Sequence, residues 1–260
     1  MKAIIIAAGM GSRLEHHTNE KPKCMVEVNS MSILDHQLHA LRSNGISEFH
    51  VIRGYLADKL ILPEEAGEKV KYFLNEKYRE NNILFSLMYA KESLEGDVIT
   101  TYSDIVYTPE VVAKLAASTH DISLVIDRQW ALAYEGRDDH PVEQAELAIC
   151  EGEKVLRVGK QVGPEGAAGE FIGLAKFNAK GAEIARTTWE RVRAQYEDDQ
   201  PFQAAKLFRK AYLTDLILEL IADGADVGAV FIDGGWREID TVQDLERVNS
   251  DTEIAQKSEF

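Results

Sequence analysis

Two glycines and two cations near the N-terminus have the spacing of a phosphate cradle. The chain reads Ala8-Gly9-Met10-Gly11-Ser12-Arg13-Leu14, followed after a polar stretch by Lys21-Pro22-Lys23. Glycines placed this way let backbone N–H groups approach phosphate oxygens, while Arg13 and Lys23 supply charge. A dinucleotide-binding turn competes for the same loop. It fits poorly, because Leu14 stands where the third glycine of that motif belongs and no acidic residue closes the second strand. Either cation alone reads equally well as a solvated surface charge; the pair at this spacing favours the cradle.

Two carboxylates stand out further along. An apolar strand over residues 98–102 delivers Asp104 at its C-terminal end, the edge where open α/β sheets gather ligands. Its local alternative is a turn cap ahead of Pro109. Asp240 lies in Trp236-Arg237-Glu238-Ile239-Asp240-Thr241, just before the helix-start pair Thr241 and Asp244, so a purely structural place at a helix N-terminus is its alternative. Two hard carboxylates sharing one cation with phosphate oxygens is the usual way magnesium is held.

The elements that position these residues alternate in a βαβ rhythm. A strand over 3–7, a helix over 32–44 stopped at Gly45 and a strand over 48–52 open the chain; a strand over 70–74 and a helix over 82–94 follow. Beyond the 98–102 strand, Pro109 opens another helix. A mostly parallel sheet with flanking helices is the expected solution. Between residues 128 and 170 the rhythm breaks into short strands punctuated by Gly136, Pro141, Gly152, Gly163, Pro164, Gly166 and Gly169, which predicts a β-rich inserted lid. Helical and strand patterns then resume. The expected organisation is one domain over 1–250 with that insertion, and a frayed tail over 251–260.

With 260 residues and 45% hydrophobic content the chain can bury a full core. Its 44 acidic against 29 basic residues give −15, which repels nucleic acid and anionic membranes, so neither is an expected partner. Two isolated cysteines, Cys24 and Cys150, suggest neither a disulfide framework nor structural zinc. No apolar run is long enough to span a bilayer and no signal-peptide pattern opens the chain, from which a cytoplasmic location is expected.

The A-A-G-M-G-S-R-L stretch with its following K-P-K resembles the signature of the sugar-nucleotidyltransferase superfamily. That resemblance implies an α/β, Rossmann-like three-layer fold. It implies that residues 8–13 (Ala8, Gly9, Met10, Gly11, Ser12 and Arg13) wrap a nucleoside triphosphate, that Lys23 and Arg13 offset charge at the attacked phosphorus, and that Asp104 and Asp240 bind Mg2+. His16 and His17 occupy a variable pair and are expected as loop residues. Residues 81–87, Asn81-Asn82-Ile83-Leu84-Phe85-Ser86-Leu87, resemble the N-N-x-x-x-S-L pattern of phosphocholine and phosphonate cytidylyltransferases, which implies CTP as donor and places Asn82 and Ser86 beside it. Helix capping by Asn81 or Asn82 is the alternative there.

Residues 134–141 and 169–174 look closest to the phosphonate branch, which implies a small phosphonate acceptor such as 2-aminoethylphosphonate or a hydroxyalkylphosphonate. Arg128, Arg137, His140, Lys160 and Glu170 are the acceptor candidates of the lid, each with an ordinary salt-bridge alternative. An aromatic cage from Trp130, Tyr134 and Trp236 keeps phosphocholine open. A sugar 1-phosphate acceptor also stays open, as does an inactive nucleotide-sensing subunit that keeps the fold without the chemistry. The expected partners are therefore CTP and a small phosphonate or phosphorylated alcohol, with a homodimer left open.

Overall fold

The computed structural model describes residues 1–63 and 65–250, so the expectation for 251–260 lies outside the described residues. The chain runs through β1 (Lys2–Ala7), β2 (Glu27–Val28), β3 (Met31–Ser32), α1 (Ile33–Arg42), β4 (Glu48–Arg53), β5 (Lys69–Leu74) and α2 (Ile83–Met88). It continues with β6 (Val98–Tyr102), β7 (Ile105–Tyr107), α3 (Pro109–Ala117), β8 (Ile122–Asp127), α4 (Trp130–Tyr134), β9 (Leu147–Glu151) and β10 (Lys154–Gly159). The last part comprises β11 (Gly169–Phe177), α5 (Ala179–Gln195), α6 (Leu213–Ala222), β12 (Val227–Ile232), β13 (Trp236–Glu238) and α7 (Val242–Ser250).

Nine strands form one sheet in the order β5-β4-β1-β6-β11-β8-β12-β10-β9. The first four are parallel, as are β8 and β12, while β11 runs antiparallel between β6 and β8. Both sheet faces are covered. On β1, Ile4 and Ile6 pack against α2, α5 and α6, whereas Ala3, Ile5 and Ala7 pack with α1 and α3, so strand alternation feeds two cores and gives three layers. Among the described residues no helix is long and apolar enough to cross a membrane.

Local sequence explains two of the helix starts. Ser32 caps α1 reciprocally with Asp35, and the Asn178 side chain accepts from the Gly181 N–H at the start of α5. The helix expected over 82–94 is shorter. It stops at Met88 and continues as a tight turn over Lys91–Ser93, which carries Ser93 and Leu94 inward; an unbroken helix would have aimed Lys91, four residues after Leu87, at the same core. Residues 128–170, expected as an inserted lid, contribute α4 and the strands β9 and β10, which join the far edge of the main sheet.

Candidate active site

β1 and β6 are parallel neighbours with Ile6 opposite Tyr102, so the loop after β1 and the carboxylate after β6 emerge side by side at the C-terminal edge of the sheet. Gly11 in that loop has φ +63°, and a Cβ there would stand 2.8 Å from the Cβ of Lys23. Only glycine satisfies both the left-handed backbone and the close passage of the lysine stem. The Thr18 hydroxyl donates to the Gly11 carbonyl at 3.1 Å, and Leu14 is buried with Val26, Val28 and Ile239, which pins the loop from below. Leu14 is thus the anchor where a dinucleotide motif would need glycine. Ala8 is buried, the Met10 sulfur accepts from Arg79 at 3.4 Å, and Gly9, with Ser12 at the head of the following turn, completes the loop.

Lys23 is 8% exposed, and its Nζ donates to Asp104 Oδ2 at 2.9 Å and to Asp240 Oδ1 at 2.7 Å. Arg13 and His140 approach the other oxygen of Asp240, His140 Nδ1 at 3.0 Å. A two-stranded ladder sets this meeting: β7 directly follows Asp104, β13 pairs with it antiparallel, and Asp240 comes two residues after β13. The helix-start reading also holds for part of the segment. The Asp244 carboxylate accepts from the Asp240 and Thr241 N–H groups, which leaves the Asp240 side chain free to face Lys23. Burial opposes the Lys23 charge, yet Asp104 and Asp240 hold its ammonium above the ordinary lysine value. Burial would likewise raise Asp240, but Lys23, His140 and Arg13 keep its carboxyl well below the usual range.

These groups fit a divalent cation. Carboxylate oxygens from Asp104 and Asp240 converge on a single point now held by an ammonium, a hard-oxygen arrangement of the kind that suits magnesium. Asp240 also belongs to a second cluster, in which ligand atoms of His140, Glu238 and Asp240 all lie within 4.8 Å of one another.

Beside this cluster lies a cavity of about 240 Å³, lined among others by Arg13, Asn82, Tyr102, Asp104, His140, Glu146, Lys160, Glu170, Tyr212 and Asp240. Arg13, Asn82, His140, Lys160, Glu170 and both aspartates therefore share one space. Lys23 and loop residues 8–12 are outside this lining, as are three further candidates, Ser86, Arg128 and Arg137. The Ser86 hydroxyl is buried and accepts from Asn75 at 2.9 Å, because the start of α2 is tied into an Asn75–Asn81 amide pair behind the loop. Arg128 is exposed and forked onto Asp233. Arg137 is buried on Asp244 and Glu238, a structural clamp between α7 and β13. The three candidate cage aromatics also part company: Trp130 and Tyr134 stack edge to face above Ala145, Leu147 and Val162, whereas the Trp236 indole donates to Asp127 at 2.8 Å. His16 and His17 lie ring against ring at 4.1 Å, without a contact to the carboxylates.

Three residues escaped sequence reasoning. Glu146 is buried, accepts from the Tyr102 and Thr214 hydroxyls at 3.1 and 3.0 Å, and is pushed up to about 7 by burial. Tyr102 reaches it because Gly173, at φ +84°, opens a bulge in β11 against which the tyrosine ring lies. Glu238 pairs with Arg137 and sits 3.6 Å from His140. The alternation of β9 and the Gly173 interruption were the available signals; neither specifies which carboxylate turns inward. Glu170, which was expected here, accepts from the Tyr134 hydroxyl at 2.7 Å and is raised to about 8 by burial and the charge of Glu238.

The profile of the MobA-like NTP transferase domain family matches residues 3–162. The chain is 33% identical over 253 residues to the CTP:phosphoglutamine cytidylyltransferase of Campylobacter jejuni, covering 95% of this chain and 98% of that protein. It is 32% identical over 109 residues to the 2-aminoethylphosphonate cytidylyltransferase of Lancefieldella rimae, covering 42% and 44%. Among solved structures, the CTP:phosphocholine cytidylyltransferase of Streptococcus pneumoniae shares the fold with a TM-score of 0.70 at 23% identity, over 95% of this chain and 97% of that one.

Proposed function

This chain belongs to the MobA-like NTP transferase family and is a cytidylyltransferase, and we propose that it moves CMP from CTP to a small acceptor with an oxyanionic phosphonate or phosphate at one end and an ammonium at the other, 2-aminoethylphosphonate being the simplest. The observation that carries the reaction is the Lys23 ammonium held between Asp104 and Asp240 at the open edge of β1 and β6. The ammonium end rests on Glu146 and Glu170, two buried carboxyls in the same cavity, and on the acceptors named for the relatives, each of which carries a cationic nitrogen.

An acceptor oxygen attacks the α-phosphorus of CTP, the bond from that phosphorus to the bridging oxygen breaks, and pyrophosphate leaves with the electron pair. The acceptor is already an oxyanion near neutral pH, so no side-chain base is needed, and positioning with charge neutralisation carries the catalysis. N–H groups of residues 9–13 face the triphosphate, and Lys23 and Arg13 offset the negative charge that grows between α-phosphorus and leaving group. Mg2+ on Asp104 and Asp240 supplies Lewis-acid neutralisation of the triphosphate when bound. Asn82 at the cavity wall borders the nucleotide, and His140 and Lys160 border the acceptor. The experiment is pyrophosphate release with CTP and Mg2+ across 2-aminoethylphosphonate, 2-hydroxyethylphosphonate, phosphocholine and glucose 1-phosphate. An ammonium-bearing acceptor leading by tenfold in kcat/KM is the expected result; glucose 1-phosphate leading removes the acceptor assignment.

A further inference from the structure

A groove of about 350 Å³ between α2 and α5 shares no lining residue with the catalytic cavity. Its apolar wall is one face of α2 and the residue after it, Phe85, Met88 and Tyr89 at helical spacing, with Trp189 of α5 meeting the Phe85 ring edge to face at 5.1 Å. Four cations and two acids join that wall, on a chain whose net charge is −15. Lys91 is taken by Glu190 and Arg193 by Asp198. The side chains of Lys77 and Arg209 have no hydrogen-bond or ion-pair partner among the described residues, which leaves two free cations against the single acid Glu80. Both start from one place. The Lys77 carbonyl accepts from the Asn81 N–H and the Arg209 carbonyl from the Asn82 N–H, each at 3.0 Å, so the two cations flank a single peptide unit at the start of α2.

We propose that this groove is a second nucleotide site: a cytidine nucleotide lies with its base along Phe85, Met88 and Tyr89 and its phosphates at Lys77 and Arg209, and its presence tightens CTP in the catalytic cavity. A flat base stacks readily on aromatic side chains, and a lysine and an arginine left without carboxylates are ordinary partners of phosphate oxygens. The volume suits a small molecule. Cytidine nucleotides are what a cytidylyltransferase meets as donor and as product. The coupling is built into the backbone. Asn81 lines the groove while Asn82 lines the catalytic cavity, and Arg209 and Tyr212 divide in the same way. The Asn82 side chain donates to the Lys210 carbonyl at 3.2 Å and the Lys210 ammonium donates to the Arg79 carbonyl at 3.2 Å, so residues 77–82 and 209–212 form one unit with a site on each side. Phosphates bridging Lys77 and Arg209 hold these two segments together, and by linkage CTP in the catalytic cavity gains what the groove ligand supplies.

Counting bound nucleotide gives the test and needs no turnover, so it stands apart from the acceptor assignment. Equilibrium dialysis with Mg2+, CTP labelled with 32P at the α-position and no acceptor is expected to find two nucleotides per wild-type chain and one per chain of the double variant Lys77→Ala with Arg209→Ala. One per wild-type chain at millimolar CTP, or two retained in the double variant, overturns the site. In steady state the double variant should keep kcat within about twofold and raise KM for CTP by about fivefold or more. Lys77→Arg with Arg209→Lys should recover most of that loss, and an unchanged KM in the alanine variant overturns the coupling. The label that the double variant lacks also identifies the occupant. Cytidylylated 2-aminoethylphosphonate displacing it at lower concentration than unlabelled CTP makes the occupant the product; the reverse order makes it the donor. Inorganic triphosphate displacing it as well as CTP does removes the base from the site and overturns the nucleotide assignment.

Discussion

The backbone N–H of Ile239 donates to the carbonyl oxygen of Asp104 at 2.8 Å. That bond extends the β7–β13 ladder by one step and holds the segments carrying Asp104 and Asp240 together before any ligand arrives, so the two carboxylates are preorganised by backbone pairing.

Asp104→Asn and Asp240→Asn are each expected to lower turnover by at least about a hundredfold, since each removes a hard anionic oxygen from the proposed cation site. The ladder should keep the fold. Circular dichroism and steady-state pyrophosphate release check both halves, and a variant with normal turnover takes that aspartate out of the site.

Lys23→Met is expected to depress kcat more than it raises KM for CTP, because the ammonium matters most as charge accumulates at the phosphorus. It also leaves Asp104 and Asp240 facing one another without their shared cation, so thermal stability at low Mg2+ should fall by a few degrees and recover as Mg2+ is added. A change confined to KM makes Lys23 a binding group only.

The loop and the lysine are one device, and Gly11→Ala tests this. The new methyl would meet the Lys23 Cβ at 2.8 Å in a backbone conformation that L-residues rarely adopt. A destabilisation of about 1–2 kcal/mol, with a loss of turnover larger than that of Gly9→Ala, is the expected pattern; Gly9 has open space where its Cβ would be. Equal effects at the two glycines count against the coupling.

Much of this site was legible in the sequence because its parts are local. The Gly9 to Arg13 loop, the strand that ends at Asp104 and the helix start after Asp240 each have a short signature tied to backbone chemistry. What was not legible depends on partners distant in the chain. Ser86 and Arg137 look like ligand contacts until Asn75 and Asp244 are seen to occupy them, and Arg128 is exposed on Asp233. Glu146 is placed by a bulge at Gly173 on another strand. The ladder of β7 and β13, three residues each, is too short for a periodicity to announce it.

Glu146 and Glu170 make stability depend on pH in a defined direction. Their carboxyls, raised from 4.5 to about 7 and about 8, keep a proton in the folded chain that the unfolded chain has lost. The stability they contribute is fully present below the unfolded value and is lost as pH rises through 7 and 8. His36 and His50, both lowered by burial, act in the opposite sense but equally in any Glu170 variant. Glu170→Gln should therefore lose fewer degrees of Tm than the wild type between pH 5.5 and 8.5 without acceptor; parallel losses contradict a raised Glu170.

The most direct measurement follows the phosphorus itself. The enzyme is incubated with Mg2+, 2-aminoethylphosphonate and CTP labelled with 32P at the α-position, and the label is traced by chromatography, with UTP and ATP as matched donors. The expected result is label joined to the phosphonate, with one pyrophosphate released per transfer and CTP at least tenfold ahead of the other donors. Label remaining in CTP or appearing only as free CMP across the whole acceptor panel, or equal transfer from UTP, contradicts cytidylyl transfer as the function of this site.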